Sequence, residues 1–252
     1  MGAVAFIVLL LQVCISHAWK CSEAPALYKV QQVDADLGKV LAVSGNRYAY
    51  YLNGLRWNNL HLYNVKHITT GTTGTWMVDS KNGLNKLVGG TFVKAPGLSV
   101  IQAHAGGKDF LVATNGKRGY CCRTSSATTY KGVGSLSWTA LSVSYQFKQF
   151  SCGRFGCWGV DIKGRVYHAQ SITAANCKSV GWRYISAGMK MVEASSDGLV
   201  FGINNAGEVF LSRTYGVGWY KIPMCMPMRD LSYNLGKLWV ASVSGLLMVC
   251  TH

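Results

Sequence analysis

One phrase recurs six times along this chain, and only a fold built by internal repetition can accommodate it. Its fullest copy runs from Cys157 through Trp158-Gly159-Val160-Asp161, turns at Lys163-Gly164 and resumes at Val166-Tyr167. Alternating apolar residues on both sides of a glycine turn are a β-hairpin signature. The same pattern reads from Phe201 through Gly207 to Phe210, from Phe110 through Gly116 to Tyr120, and from Trp239 through Gly245 to Leu247. It reads again from Trp76 through Gly83 to Leu84 and from Tyr48 through Gly54 to Leu55. A second landmark, a bulky residue followed three positions later by an aliphatic, precedes each hairpin. It stands at Leu27/Val30, Trp57/Leu60, Trp138/Leu141, Trp182/Ile185 and Trp219/Ile222, and at Phe92 with Ala95 in the aliphatic place. The spacing from landmark to aromatic is 18 to 21 residues in every copy, whereas the onward spacing to the next landmark varies from 9 to 28. Insertions therefore gather in one place per repeat, between the second strand of the hairpin and the next landmark.

Between landmark and aromatic lies a third strand-like segment. Examples are Lys66-His67-Ile68-Thr69-Thr70-Gly71, Lys148 to Gly153, Lys190 to Ser195 and Arg229 to Asn234. Four short strands per repeat, six times over, predict an all-β, six-bladed β-propeller of four-stranded antiparallel blades. The first landmark has no complete hairpin before it, and the last hairpin, ending near Val249, has no landmark after it. The N-terminal strand, placed at Leu27–Val30, is thus expected to become the outer strand of the last blade and close the ring. Composition agrees: 29 glycines against 4 prolines suit many tight turns, and 49% hydrophobic residues with 14% charged exclude disorder.

Residues 1–18 read as a signal peptide. Ala3 to Val13 is apolar but too short to span a bilayer, and small residues flank His17 at Ser16 and Ala18. The expected mature chain, 19–252, is one secreted, extracellular propeller domain with no further run long enough to be transmembrane. It retains eight of the nine cysteines, an even number that reads as disulfides in a secreted chain. Cys21 and Cys250 lie at the two strands that would close the ring and are expected to bond. Cys152 and Cys157 flank a strand-to-strand turn and are expected to pair with each other. Cys121 and Cys122 are each expected to bond Cys177 or Cys225, in an order left open. None has the spacing of a zinc site.

The net charge is +15, all of it outside the leader. Outside the cell such a surface favours anionic partners such as sialylated or sulfated glycans, lipopolysaccharide phosphates or acidic lipid, and secretion sets nucleic acid aside. Lys66, Lys148, Lys190 and Arg229 share one inner-strand position, so a propeller would gather them as a cationic ring at one end of its channel. Catalysis finds no support, and no enzyme activity is expected. The ten carboxylates mark no acid/base pair, and neither a Gly-x-Ser-x-Gly elbow nor a His-Glu-x-x-His motif occurs. Asp79, Asp161 and Asn204 occupy one repeat position, which points to a turn role. The regularly spaced Trp57, Trp138, Trp182 and Trp219, with Trp76, Trp158 and Trp239, are expected in the core. Aromatic platforms for a ligand belong where the repeats diverge, at Tyr63, Tyr130 and Tyr215.

Trp158-Gly159-Val160-Asp161 leading to Val166-Tyr167, together with Trp219-x-x-Ile222, resembles the tectonin repeat, and some version of it covers residues 27 to 250. The leader and cysteines resemble those of the secreted branch of fish-egg lectins, leukolectins and tachylectins. That resemblance implies a carbohydrate-binding lectin for N-acetylglucosamine-containing glycans or bacterial cell-surface saccharides such as lipopolysaccharide, active in innate defence or egg protection. It also implies a calcium ion near the central channel, which would lie at the end away from the cationic ring and bind largely carbonyl oxygens. Arg123 and Arg213 stand at the place of the family's strand-end Arg and would bind sugar oxygens. Repeated weak sites, or assembly into a homo-oligomer, would supply avidity. The rival reading is a propeller scaffold that binds protein or acidic lipid through the cationic face.

Overall fold

The structure, a computed structural model, describes residues 19–106, 109–141, 145–170, 172–179, 181–214 and 217–252. Six four-stranded antiparallel sheets follow one another along the chain. After β1 (Lys20–Glu23), blade 1 comprises β2 (Gln32–Asp36), β3 (Lys39–Val43), β4 (Ala49–Asn53) and β5 (Arg56–Asn59). Blade 2 holds β6 (Val65–Gly71), β7 (Gly74–Asp79), β8 (Leu84–Val88) and β9 (Thr91–Lys94). Blade 3 holds β10 (Gln102–His104), β11 (Leu111–Thr114), β12 (Gly119–Cys122), the short helix α1 (Thr124–Thr129) and β13 (Trp138–Leu141). Blade 4 is β14 (Phe147–Gly153), β15 (Gly156–Asp161), β16 (Val166–Ala169) and β17 (Arg183–Ser186). Blade 5 is β18 (Met189–Ala194), β19 (Val200–Asn204), β20 (Val209–Thr214) and β21 (Val217–Ile222). Blade 6 is β22 (Met228–Asn234), β23 (Lys237–Ser242) and β24 (Leu247–Thr251), completed by β1 on its outer edge.

Each first strand lies against the first strands of both neighbouring blades, β2 against β22 included, so the ring is closed. The apolar core is correspondingly divided into six clusters, each shared by two adjacent blades. Trp76 and Trp158 are fully buried there and Trp239 nearly so. Trp57, Trp138, Trp182 and Trp219 sit farther out, partly buried against four of these clusters.

The ring closes one strand earlier than the sequence suggested. The closing strand is Lys20–Glu23, and Cys21 lies within it, directly opposite Cys250. Leu27–Val30 is irregular connection. The same slip displaces the first aromatic: Tyr48 precedes the third strand of blade 1 and is 39% exposed, while Leu41 holds the place that Trp76, Trp158, Phe201 and Trp239 hold elsewhere. The aromatic slipped by seven residues, from Leu41 to Tyr48, and the landmark slipped with it from the Lys20–Glu23 strand to Leu27, so the spacing looked right although both identities were wrong. In blade 3 the equivalent residue is Val112, two positions after Phe110 on the same face.

Cys21 bonds Cys250, Cys152 bonds Cys157, and Cys121 bonds Cys177. The last of these ties blade 3 to the β16–β17 insertion of blade 4. The second bridge expected of Cys122 is absent: its thiol is buried between blades 2 and 3, and Cys225 lies exposed in the β21–β22 connection. Burial pushes the Cys122 thiol up to about 12, so it stays protonated and inert. Asp79, Asp161 and Asn204 do hold turns. Each side-chain Oδ1 accepts two backbone N–H groups of its own β-turn, at 2.8–3.0 Å.

Candidate functional site

The inner strands carry the chemistry. Because strand residues alternate in direction, three positions of each inner strand face the axis, and the six blades stack them in three layers. The layer nearest the cationic end holds Gln32, His67, Gln102, Gln149, Met191 and Asp230. The middle layer holds Asp34, Thr69, His104, Ser151, Glu193 and Ser232, and the third holds Asp36, Gly71, Gly106, Gly153, Ser195 and Asn234. Glycine is required at two of these places by close approach of the next inner strand. A Cβ on Gly71 would lie 1.8 Å from the Ala105 carbonyl oxygen, and one on Gly153 2.5 Å from that of Ser195.

These side chains stitch neighbouring blades together. Gln32, Gln102 and Gln149 each accept from and donate to the backbone of one residue on the next inner strand, respectively Ile68, Phe150 and Val192. Asp230 accepts from Val33 N–H at 2.7 Å and so joins the last blade to the first. One layer down, Asp34, Thr69, His104, Ser151 and Ser232 accept from the backbone N–H of Thr70, Ala105, Cys152, Ala194 and Ala35. Strands of adjacent blades share no ladder, so these bonds satisfy groups that burial would otherwise leave unpaired.

In the middle layer, ionisable groups alternate with hydroxyls around the ring. Asp34, His104 and Glu193 come from blades 1, 3 and 5, all buried, with one ligand atom of each within 4.8 Å of the others. Such a group could hold a metal ion. Glu193 is the hub, facing His104 Nε2 at 3.3 Å and accepting from Ser151 and Ser232 at 3.3 and 3.4 Å. Just below, Asp36 is buried and its Oδ2 has no hydrogen-bond partner among the described residues. Asp34, Asp36, His104 and Glu193 line one small cavity there.

The crowding of these carboxyls is visible in their acidity. Burial, reinforced by the Glu193 charge, pushes Asp34 up to about 8, and burial likewise raises Asp36. Burial pulls His104 down, but Glu193, Asp34 and Asp36 outweigh it and hold the imidazole above its ordinary value. Asp230 is pushed up to about 7, again chiefly by burial. Groups whose folded pKa is raised contribute stability that is full in acid and is lost as pH rises through that pKa. His67, held at about 3 by burial, and His168, also lowered, act in the opposite sense but finish titrating by the ordinary imidazole value of 6.5. With a chelator present, the melting temperature is therefore expected to fall between pH 6.5 and 8. A flat or rising profile over that window would contradict the crowding.

Sites expected from the sequence are scattered. Tyr63 is 69% exposed in the β5–β6 connection. Tyr130 is not a platform: it is buried between blades 2 and 3, and its hydroxyl donates to the Lys94 carbonyl at 2.6 Å. It is held there because buried Lys86 donates to the carbonyls of Ala127, Thr128 and Tyr130, capping the C-terminal end of α1 with a cation. Arg123 is exposed at the N-cap of that helix. Tyr215 and the side chain of Arg213 lie outside the described residues. Sequence reasoning missed Asp34, Asp36, His104 and Glu193. The available signal was Thr69, Ser151 and Ser232 at one position of three inner strands, which marks their partners in the other three.

Two surface hollows accompany the channel. One of ≈ 610 Å³ lies between blades 6 and 1, lined by Leu55, Leu235, Trp239, Lys20, Glu23 and Lys39 among others. Another of ≈ 460 Å³ lies at the outer side of blade 2, with Asp79, Asn82, Lys94, Pro96 and Leu98 in its wall.

Comparison with known proteins follows the same lines. Over 157 residues the chain is 26% identical to the fish-egg lectin of Cyprinus carpio, a stretch covering 59% of this chain and 65% of that protein. It thus spans under two thirds of that relative's length. Among solved structures, a gluconolactonase of Xanthomonas campestris superposes with a TM-score of 0.69 at 8% identity, over 92% of this chain and 89% of that one. A calcium-binding regucalcin of Agrobacterium tumefaciens gives 0.64 at 14% identity, over 90% and 91%. At such identities these two share the fold alone. The tectonin domain model matches residues 29–243, nearly the whole ring. The chain belongs to the tectonin family.

Proposed function

We propose that this protein is a secreted, non-enzymatic lectin that binds N-acetylglucosamine-containing glycans or bacterial surface saccharides. Membership of the tectonin family, with a fish-egg lectin among its relatives, carries the reading. Three disulfides agree with an oxidising extracellular setting. No helix among the described residues is long and apolar enough to cross a membrane. The hollow between blades 6 and 1 supports sugar binding: apolar Leu55 and Leu235 would meet a pyranose face, and Lys20, Glu23 and Lys39 its hydroxyls. Exposed Tyr63 and Arg123 are the remaining surface contacts from the sequence reading.

Calcium fits the axial group in part. Asp34 and Glu193 of the buried group supply oxygen ligands that a hard cation requires, and Asp36, which lines the same small cavity, has an unpartnered Oδ2 that would gain one. His104 is not a calcium ligand by chemistry, but its Glu193 and Cys152 contacts already occupy it. A bound ion would offset the crowded negative charge of these carboxyls and link blades 1 and 5. The site lies on the far side of the middle layer from the cationic ring, but its ligands are side chains, where the sequence reading favoured carbonyls.

A glycan array run with and without chelator tests both parts. Binding to amino-sugar glycans is expected to persist in 0.5 M salt and to be competed by free N-acetylglucosamine, and added calcium should raise the melting temperature. Failure of every amino sugar to compete would remove the lectin reading. Collapse of all binding in salt would favour the charge-driven scaffold instead.

A further inference from the structure

We propose that the cationic mouth of the channel is a separate binding site for a tetrahedral oxyanion, a phosphate or sulfate group either free or carried on a saccharide. In blades 2, 4, 5 and 6 the inner strand skips one residue in its pairing with the second strand, between Val65 and His67, Phe147 and Gln149, Met189 and Met191, and Met228 and Asp230. The skipped residue is Lys66, Lys148, Lys190 or Arg229. A bulge re-aims a side chain away from regular alternation, so four blades place a cation at the same end of the axis. Gln31 and Ile101 stand there in blades 1 and 3.

Three of the four cations converge. A cavity of ≈ 440 Å³ opens at this end, with Lys148, Lys190 and Arg229 in its wall and His67, Gln149 and Asp230 deeper in. Lys66 is drawn aside by Asn82, to whose Oδ1 it donates at 2.8 Å. Arg229 is pinned by the Gln31 side chain and the Val243 carbonyl, and Lys190 donates to the Arg229 carbonyl at 3.2 Å. Lys148 has no hydrogen-bond or ion-pair partner among the described residues. Burial, with Lys190 nearby, lowers its pKa despite Asp161. His67 adds a buried Nδ1 that also has no partner among the described residues. The Lys148 ammonium, the remaining N–H groups of Lys190, the Arg229 Nε–H and, in its Nδ1–H tautomer, His67 are donors still unpaired among the described residues, and a compact multivalent oxyanion satisfies them together.

The groups that oppose such a ligand are also identifiable. Asp230, Glu193 and Asp34 all line the cavity, Glu193 and Asp34 one layer deeper than Asp230, and Asp161 lies near Lys148. Asp230 is the nearest to the proposed seat, and its charge should weaken binding. The volume exceeds one phosphate and falls within the range of small-ligand pockets, so a sugar ring can accompany the anion. This site does not depend on the neutral-sugar reading, and each can fail alone.

Calorimetric titration with inorganic phosphate, inorganic sulfate, N-acetylglucosamine 6-phosphate and plain N-acetylglucosamine tests the proposal. One oxyanion per chain is expected to bind, with the comparison of free and sugar-borne phosphate showing which source the cavity prefers. Substituting Lys148→Gln and Lys190→Gln together should weaken it by about tenfold or more, without changing N-acetylglucosamine competition on the array. Asp230→Asn keeps an acceptor for Val33 N–H and should tighten oxyanion binding about threefold or more. Lys237→Gln, on the far end of blade 6, should leave it unchanged. Absence of heat with every oxyanion, or affinity unmoved by both the lysine pair and Asp230→Asn, would overturn the proposal. Equal loss in Lys237→Gln would reduce it to diffuse surface charge and overturn it as well.

Discussion

Serine at both Cys21 and Cys250 is expected to lower the melting temperature by about 10–20 °C. The two residues face each other across the β1–β24 pair, 229 positions apart in sequence. Without that link the unfolded chain regains the freedom of its largest loop, worth about 5 kcal/mol on the chain-entropy account. For a domain of this size each kcal/mol moves the midpoint by about 2–4 °C. The link also fixes β1, and with it buried Trp19, which packs edge-on against Phe201 and Tyr233. Serine at Cys152 and Cys157, only 5 positions apart, removes a far smaller loop, worth about 2 kcal/mol. Thermal unfolding followed by circular dichroism should rank the two double variants in that order. Equal midpoints would mean that the terminal bridge is not what holds the toroid shut.

Trp158→Ala should be the most damaging single substitution in the core, at about 3–5 kcal/mol. Trp158 is 1% exposed and fills the cluster between blades 4 and 5, beside Val160, Val166, Met189, Val192 and Val200. It also stacks on His168, with ring centroids 4.0 Å apart. Its indole N–H has no hydrogen-bond partner among the described residues, so the loss is packing rather than a bond. Trp158→Phe keeps most of that packing and discards an unsatisfied donor, and should cost about 2 kcal/mol or less. Urea midpoints for the two variants separate the effects. A phenylalanine as harmful as alanine would show that the N–H contributes and that shape alone does not explain this residue.

Trp158 was legible because the repeat is strongest there, and the same holds for Trp76, Phe201 and Trp239. Periodicity reports burial on one face of a strand, which is a local property. It failed where that local pattern is ambiguous. In blade 1, Tyr48 opens a second hairpin whose alternation resembles the first, so phase slipped without any change in spacing. Tyr130 misled for another reason. It lies in a divergent insertion, but Lys86, 44 residues away, draws the end of α1 inward and buries the ring.

What the sequence determined by itself is the count of blades and the closure of the ring, because each of six copies of one strand pattern acts through neighbours in the chain, and the incomplete repeats at the two ends, each with its cysteine, complement one another. What only the tertiary structure decided is which residues meet on the axis. Asp34, His104 and Glu193 are about 70 to 160 residues apart and share no motif. Their meeting depends on the register of each inner strand, which one misplaced residue would turn to the opposite face. The cationic mouth depends likewise on four bulges, which exist only once a second strand is paired alongside.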